Sequence, residues 1–568
     1  MSAHAEAIVT AGLRPDLFAD SGAHSISRTL LLVTLVALVL GGFVFRARHL
    51  GVEGLADDEL NKLEAAMEYR AHGLTGANGE HPFLMKAVIT LSVVAAERWN
   101  SSTLAKAHSG ELIIPVETAV RLPNVIVGSL TTLLVYLLIS ELFGGEIALL
   151  AAALWAFDPI AIGFNRIAKE DTFLLFFFLL ANIFWLRGQR VAESEPRRDP
   201  TRYYWAAAVA FGAMVASKYL PQYIAISISY YWVFQNIPET RWRLGRLRIL
   251  IFFVVVGISF AVFNPTIFLP GTWHEILHFA SRKGRDSYEF MGRLYPHEVG
   301  SWFRGVPWYF YGLFFAVKLP LLTLVAFVLG FPLLFRRKLG DGRYFLLFWM
   351  FFWLQFTISG SKFTRYTTFV LPAVYTTAAI GSYYVIRLVA RKSAELSGHA
   401  ELRVYLKTAL ASLLVIFSVL ASASAVPHYR LFTNMLGGGE SNGGAYFTQD
   451  DLYDAEIKPV MKVIALQAKV GAQVASETPT VCAYYAAKSN RSDLACVSLS
   501  EPAAIRSLSA GDFIVGAHGR HYFSNAAVLA ELAKSSKPSF SVPLGEIKAA
   551  DIYLLDKTSA EQIRTLAQ

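Results

Sequence analysis

The 568-residue sequence is poor in cysteine: only Cys482 and Cys496 occur. Two thiols exclude a disulfide-stapled scaffold and a cysteine-rich zinc ribbon. Charge is sparse as well. Asp, Glu, Lys and Arg make up 17% of the chain, while 54% is hydrophobic and 14% aromatic, too apolar for a soluble protein of this size. No P-loop, no GxGxxG after a strand and no nucleophile elbow in a fitting context occurs, which removes an ABC-type ATPase. No small-residue cleavage site clearly follows Leu40, and Met1 to Ser27 is long and mixed in charge. The first apolar run is therefore expected to stay as a signal anchor. No internal repeat is evident.

What the sequence does hold is apolar runs of membrane-spanning length. The mean hydropathy is +0.42. Runs near 29–45, 116–139, 145–161, 170–187, 203–219, 221–235, 248–265, 308–335, 343–359, 367–388 and 406–426 predict about eleven transmembrane helices. The net charge of +9 does not point to nucleic acid, because the basic residues sit in short loops between the runs. Arg187, Arg190, Arg197, Arg198 and Arg202 fill one loop, and Arg241, Arg243, Arg246 and Arg248 a second. Arg336, Arg337, Lys338 and Arg343 fill a third, and Arg387, Arg391, Lys392, Arg403 and Lys407 a fourth. The positive-inside rule puts these loops, and the tail 1–28, in the cytoplasm. Loops 46–115 and 266–307, the turns 158–170 and 359–366, and everything after Val426 then face outward.

The fold class expected is an all-α polytopic membrane domain over 29–426, followed by an extracytoplasmic α/β domain over 427–568. In loop 46–115, Leu60, Leu63, Met67 and Tyr69 predict a short amphipathic helix and 84–98 a second; both suit the membrane interface. After 427 the apolar runs shorten to strand length: Thr480–Tyr485, Leu494–Leu499, Asp512–Ala517, Phe540–Leu544 and Asp551–Leu555. Helical patterns at Lys458–Val470 and Asn525–Lys534 alternate with them. In an outward compartment Cys482 and Cys496 are free to pair across neighbouring strands; two unpaired buried thiols fit the spacing equally.

The chemistry-bearing residues concentrate between Gly54 and Lys86. Asp57, Asp58 and Glu59 stand just outside the first span, and acids near hydrocarbon are costly unless they have partners or work. One reading is a solvated helix start that complements the macrodipole; the other is a general base at the outer membrane face. Glu80-His81-Pro82 reads as a turn with Lys86 in the helix beyond, a point charge suited to a phosphate. Arg121, Arg166, Lys169, Glu170 and Asp171 lie at outer ends of spans; some suit snorkelling anchors, but Asp171 opens a nearly unbroken apolar run. His274-Glu275-Ile276-Leu277-His278 matches H-E-x-x-H. A zinc site there needs a third ligand, for which His297 and Glu298 are the nearby candidates. The pattern leaves open a membrane zinc metalloprotease, a divalent metal held by His274 and His278 for another purpose, or chance.

The order of these motifs resembles the protein O-mannosyltransferase family and its bacterial relatives, the aminoarabinose transferases that modify lipid A. The residues that carry the resemblance are Asp58-Glu59 after the first span and the His81-Pro82-Phe83-Leu84-Met85-Lys86 stretch. Arg121 follows, then Arg166 to Phe177, with Asp171 in the R-x-x-x-x-D pattern. Gly212 to Tyr219 ends in Ser217-Lys218-Tyr219, and Lys362-Phe363-Thr364-Arg365-Tyr366 looks like a K-F-x-R-Y stretch. The likeness spans about 29–390.

The resemblance implies a GT-C fold and a membrane glycosyltransferase. A mannose-like hexose or a pentose would move from a polyprenyl-phosphate carrier to a hydroxyl on a protein, lipid or glycan acceptor. It implies catalytic roles for Asp58, Glu59 and Asp171, and a donor-phosphate set of Lys86, Arg121, Arg166, Lys362 and Arg365. Asp57, Glu80 and His81 would support the site or the acceptor. No organic cofactor is implied, and a divalent metal is left open. The partners are the bilayer, the lipid-linked donor and the acceptor, with no nucleic acid. The site and the C-terminal domain would face the outer side of the cytoplasmic membrane. A secondary transporter also explains many spans and intramembrane charge, although no repeated, broken-helix halves are apparent.

Overall fold

The structure, a computed structural model, describes residues 27–108, 111–194, 198–234, 245–281, 287–399 and 401–566. Nearly all of the 1–28 tail, and Arg197, Arg241 and Arg243 of the basic loops, lie outside the described residues.

Every apolar run read from the sequence forms helix, but not every one forms a span. Five helices among the described residues are long and apolar enough to cross a membrane: Arg28–Ala47, Val116–Phe143, Glu170–Ala192, Leu371–Ser397 and Leu402–Ser424. Gly145–Phe157 and Pro159–Asn165, bent by 60° at Asp158, make a sixth if taken as one broken span. The expected eleven is therefore not what helix length supports. A proline accounts for part of the difference. Pro320 splits the run 308–335 into Phe310–Lys318 and Leu321–Gly330, while Thr201–Val215 and Ile224–Phe234, expected as two spans, are each short. A proline lacks the amide proton that would carry a helix through, whereas hydropathy averages straight across it.

The helices pack around Gly145–Phe157, which is apolar on all sides and buried through Ala151, Ala152, Leu154 and Trp155, as a helix surrounded by others must be. Leu321–Gly330 and Leu371–Ser397 approach backbone to backbone: a Cβ on Gly330 would stand 1.9 Å from the Thr377 carbonyl oxygen, and one on Gly381 2.1 Å from that of Ala326. Only glycine permits that approach, the small-residue packing that suits membrane helices.

Outside the helices, loop 46–115 holds the two expected amphipathic helices, Asp57–His72 and Phe83–Ser101. Loop 266–307 contains a hairpin of β1 (Ser287–Phe290) and β2 (Arg293–Pro296). Its turn residues Met291 and Gly292 have φ of 54° and 73°, the left-handed pair that a two-residue hairpin turn requires.

The C-terminal part forms a five-stranded sheet from β3 (Gln473–Ser476), β4 (Ala495–Ser498), β5 (Phe513–Ala517), β6 (Phe540–Leu544) and β7 (Ile547–Leu554), in the order β4-β3-β5-β7-β6. β3 pairs parallel with β4 and β5; β7 is antiparallel to β5 and β6. Strand alternation divides the side chains between two cores. Val474, Phe513 and Val515 join Ile457, Met461, Leu60, Leu63 and Ile89, so this face is packed onto helices Asp57–His72 and Phe83–Ser101. Ala475 and Ile514 join Val528, Leu532 and Ile563 on the other face.

Two expectations for this region change. Thr480–Tyr485 is not a strand; it belongs to helix Pro479–Lys488, opened by a proline in its first turn, where the missing amide proton costs nothing. The neighbouring strand is the short β3 that precedes it. Cys482 and Cys496 are bonded, but the bridge joins that helix to β4 rather than two neighbouring strands.

Candidate functional site

The acid triplet opens helix Asp57–His72, and its three members point to three environments. Glu59 is fully buried. Its carboxylate accepts from the backbone amides of Ala56 (3.1 Å) and Ala168 (2.8 Å). It also accepts from Arg121, Nε to Oε1 at 2.9 Å and Nη2 to Oε2 at 2.6 Å. Arg121 spends its other protons on the carbonyls of Leu50, Glu53 and Gly54. A guanidinium has five N–H donors, and all five are taken. Burial raises the Glu59 carboxyl and Arg121 more than offsets it, leaving a pKa below the usual range. This pair cross-braces the segment 50–59 against helix Val116–Phe143. Glu59 thus has both oxygens held in the brace, and Arg121 has no donor left over. Arg166 has a like position: it donates to the carbonyls of Phe45, Arg46, Arg48 and His49, closing the end of the first helix, and packs 5.1 Å over the Tyr429 ring.

Asp58 is part-exposed, with 35% of its side chain accessible. Three groups converge on its Oδ2: the Lys169 ammonium in contact, Arg365 Nη2 at 4.0 Å and the Tyr453 hydroxyl at 3.5 Å. Its Oδ1 takes no hydrogen bond from the described residues. Behind it, Lys62 donates to the Asp58 carbonyl (3.1 Å) and pairs with Glu170 at 3.0 Å, and His81 Nδ1 lies 3.3 Å from the same Glu170 oxygen. Burial would raise the Asp58 pKa, but Lys169, Lys62 and Arg365 pull it well below the usual carboxylate range. Between partial desolvation and basic neighbours, the basic neighbours prevail, so Asp58 is ionised at neutral pH. Burial also lowers Lys169 to about 8 and His81 to about 3, leaving His81 a neutral imidazole. Asp57 turns the other way: its backbone amide donates to Asp454 at 3.1 Å, and burial raises its carboxyl.

The remaining expected cations divide sharply. Lys86 donates to the carbonyls of Ala77 (3.0 Å) and Asn78 (2.6 Å), and burial lowers it to about 7. Glu80 accepts from the Asn78 side chain at 2.7 Å, so residues 77–80 form a small knot around Lys86. Lys362 donates to the Val306 carbonyl (2.7 Å) and that of Ser359, pinning loop 298–306. Arg365 differs. It stacks 3.9 Å over the Phe363 ring and lies 3.9 Å from Asp450, and among the described residues it makes no hydrogen bond. Its donor fork is available. Asp171 pairs with Lys218 at 2.6 Å, and Lys218 lies 4.7 Å over the Tyr366 ring.

The structure therefore gathers Asp58, His81, Lys169, Glu170 and Arg365 at one point, with Asp171 and Lys218 joined to it through Tyr366. Sequence reading missed the roles of Lys62, Lys218, Asp450 and Tyr453. Lys62 had a signal, four residues after Asp58 on a helix. Asp450 and Tyr453 had none, since nearly 400 residues separate Tyr453 from Asp58.

Among the described residues His274 and His278 have no third ligand beside them. They stand one turn apart on helix Pro270–Ser281 with rings parallel and 6.3 Å between centroids, and the His274 side chain is 79% exposed. His297, the candidate third ligand, instead accepts from the Lys362 amide at 3.1 Å and packs on Phe363. Among the described residues no three His, Cys, Asp or Glu side chains are grouped to hold a metal ion.

Comparison with known proteins agrees with this architecture. Residues 108–268 match the family of dolichyl-phosphate-mannose-protein mannosyltransferase. No curated protein matches the chain. Among solved structures, the chain is similar to the archaeal oligosaccharyltransferase AglB from Archaeoglobus fulgidus, solved with an inhibitory peptide and a dolichol-phosphate. Identity is 10% over 86% of this chain and 69% of that one, with a TM-score of 0.51. It is also similar to ArnT from Cupriavidus metallidurans bound to undecaprenyl phosphate, with 15% identity over 93% and 98% of the two chains and a TM-score of 0.45. The fold is that of a multi-pass membrane protein of the GT-C type.

Proposed function

We propose that this chain is a glycosyltransferase that moves a hexose or pentose from a polyprenyl-phosphate carrier to an acceptor hydroxyl at the outer face of the cytoplasmic membrane. The observation that carries the reading is Asp58: an ionised, part-exposed carboxylate with one oxygen unpaired, beside a guanidinium whose donors are unspent. In the reaction the acceptor oxygen forms a bond to the anomeric carbon as the bond to the carrier phosphate breaks. Asp58 Oδ1 takes the hydroxyl proton. Arg365 stabilises the charge that grows on the departing phosphate. Asp171 and Lys218 steady Tyr366 and with it the Arg365 turn. A lipid phosphate is already a good leaving group, so no nucleotide is required.

The family match over 108–268 supports this reading, and so does the Cys482–Cys496 bridge, since structural disulfides persist in oxidising compartments. Reporter fusions after Arg198 and after Gly471 should report opposite sides of the membrane; the same side for both would overturn the orientation. The function itself is tested by mass spectrometry of glycans, glycolipids and secreted proteins from cells lacking the gene, complemented with the parent or with Asp58→Asn. A glycan that returns with the parent but not with Asp58→Asn is expected. No difference between deleted and parent cells would refute the reading.

A further inference from the structure

The chain beyond the membrane helices reaches into this site, and we infer that Tyr453 is a positioning residue for Asp58, held by the Arg520–Asp454 pair. The inference rests on the glycosyl-transfer reading above. Its first support is how the acid segment is held. Residues 51–57 share six hydrogen bonds with the C-terminal part: Lys458 Nζ to the Gly51 carbonyl (2.8 Å), His428 Nδ1 and Arg430 Nη2 to the Glu53 carboxylate (2.9 Å each), the Gly54 amide to the Ala455 carbonyl (3.2 Å), the Leu55 amide to the Tyr485 hydroxyl (2.7 Å) and the Asp57 amide to Asp454 Oδ2 (3.1 Å). The approach is close enough that a Cβ on Gly54 would lie 3.1 Å from Lys458 Cβ.

The second support is the connector itself. Helix Thr448–Leu452 ends in Tyr453 and Asp454, with φ of 49° and 58°, a conformation disfavoured for side chains with a Cβ and concentrated at functional sites. It sends the two side chains to two tasks. The Tyr453 hydroxyl reaches Asp58 Oδ2 at 3.5 Å, and its ring is buried with Arg430 5.3 Å above it. The Asp454 carboxylate takes Arg520 Nε at 2.6 Å and also its Nη2. Arg520 is anchored in turn: its Nη1 donates to the Tyr522 hydroxyl (2.9 Å) and its carbonyl accepts from Asn525 (2.8 Å). A braced path thus runs from the loop after β5 to the carboxylate.

A donor on Oδ2 fixes the rotation of the Asp58 carboxylate and leaves Oδ1 for the acceptor. At 3.5 Å the hydrogen bond is long, as bonds at unloaded sites often are before substrate tightens them. Asp58 is also faced by Lys62 and Asp57 on its own helix, Lys169 and Glu170, Arg365, and His81, so loss of one neutral donor tilts the carboxylate without neutralising it.

The test uses the full chain in detergent, with undecaprenyl-phosphate-linked mannose and arabinose as donors and membrane extract of the deletion strain as acceptor. Turnover is read as release of undecaprenyl phosphate. Tyr453→Phe should lower kcat about tenfold while KM for the donor and Kd for undecaprenyl phosphate stay within about twofold. The acid limb of the kcat profile should move to higher pH, because a hydrogen bond to the charged form is lost. Arg520→Gln should repeat the pattern and Arg520→Lys should recover part of it. The inference is overturned if Tyr453→Phe has the parent's kcat and pH profile, or if Arg520→Gln lowers only the melting temperature. If the parent releases undecaprenyl phosphate from neither donor, the proposed function fails and this inference with it.

Discussion

Replacing Arg365 with Gln removes the guanidinium that stands 4.0 Å from Asp58 and 3.9 Å from Asp450 without a hydrogen bond among the described residues. The fold should survive. Asp58 keeps Lys169, and Asp450 keeps the Thr364 amide (2.6 Å) and the Tyr288 hydroxyl (2.9 Å), so neither carboxylate is left without a partner. What is lost is the fork proposed to hold the phosphate. A hydrogen bond to a charged group contributes about 1.5–3 kcal/mol net, and Gln retains only a neutral donor, so a loss of about 2–3 kcal/mol is expected. That is roughly 30- to 150-fold in Kd. Undecaprenyl phosphate binding to the purified protein in detergent, measured by calorimetry beside a thermal melt, checks it. Arg365→Lys should fall between, keeping the charge and losing the planar geometry. Parent-like affinity in Arg365→Gln with an unchanged melt would refute the assignment of the phosphate to this turn.

Asp58→Asn should reduce transfer roughly a hundredfold or more, the scale of a lost general base, with near-normal undecaprenyl phosphate binding. Asp57→Asn should be mild, because Asp57 meets Asp454 through its backbone; equal losses in the same transfer assay would contradict this division. Arg121→Met should act on stability: it strands the Glu59 carboxylate in a fully buried site, at a cost of about 3–5 kcal/mol, read as a lower melt and poor yield. Parent-like stability with weakened donor binding would return Arg121 to the phosphate set. Lys86, lowered by burial to about 7 from an unfolded value of 10.5, holds fewer protons folded than unfolded between those pH values. Its burial penalty is therefore present in full below about 7 and relieved as pH rises toward 10.5. The parent should gain stability relative to Lys86→Met between pH 7 and 9 in thermal unfolding; a constant difference would show that Lys86 stays charged in the fold.

Much of the membrane architecture was legible because hydropathy is a local sum. The apolar runs all became helix, the helices at 57–72 and 83–101 followed from their spacing, and the later strands from their length. The misses came where a single residue outweighs the sum. Pro320 splits a run that averages as one span, and Pro479 turned an apolar stretch expected as strand into a helix. Within the candidate site, the acid cluster and the order of basic motifs marked residues that the fold brings close together, but not how they pair. Glu59 looked like the partner of Asp58. Adjacent residues on a helix point about 100° apart, and that rotation separates a buried brace from a part-exposed carboxylate.

The sequence by itself determined that this chain inhabits a membrane and marked Asp58, Lys86 and Arg365 as candidates, since residue type and spacing along a helix are local properties. Tertiary structure alone decided which cations are spent and which are free. Arg121 is taken up by Glu59 and backbone carbonyls, and Arg166 and Lys362 donate to backbone carbonyls, while Arg365 stacks on its own turn with no hydrogen bond among the described residues. It also decided that Tyr453 and Arg520, from the far end of the chain, bear on Asp58. Pairing of charges depends on which groups arrive within a few ångströms in a low-dielectric interior, and that is set by long-range packing that no local pattern records.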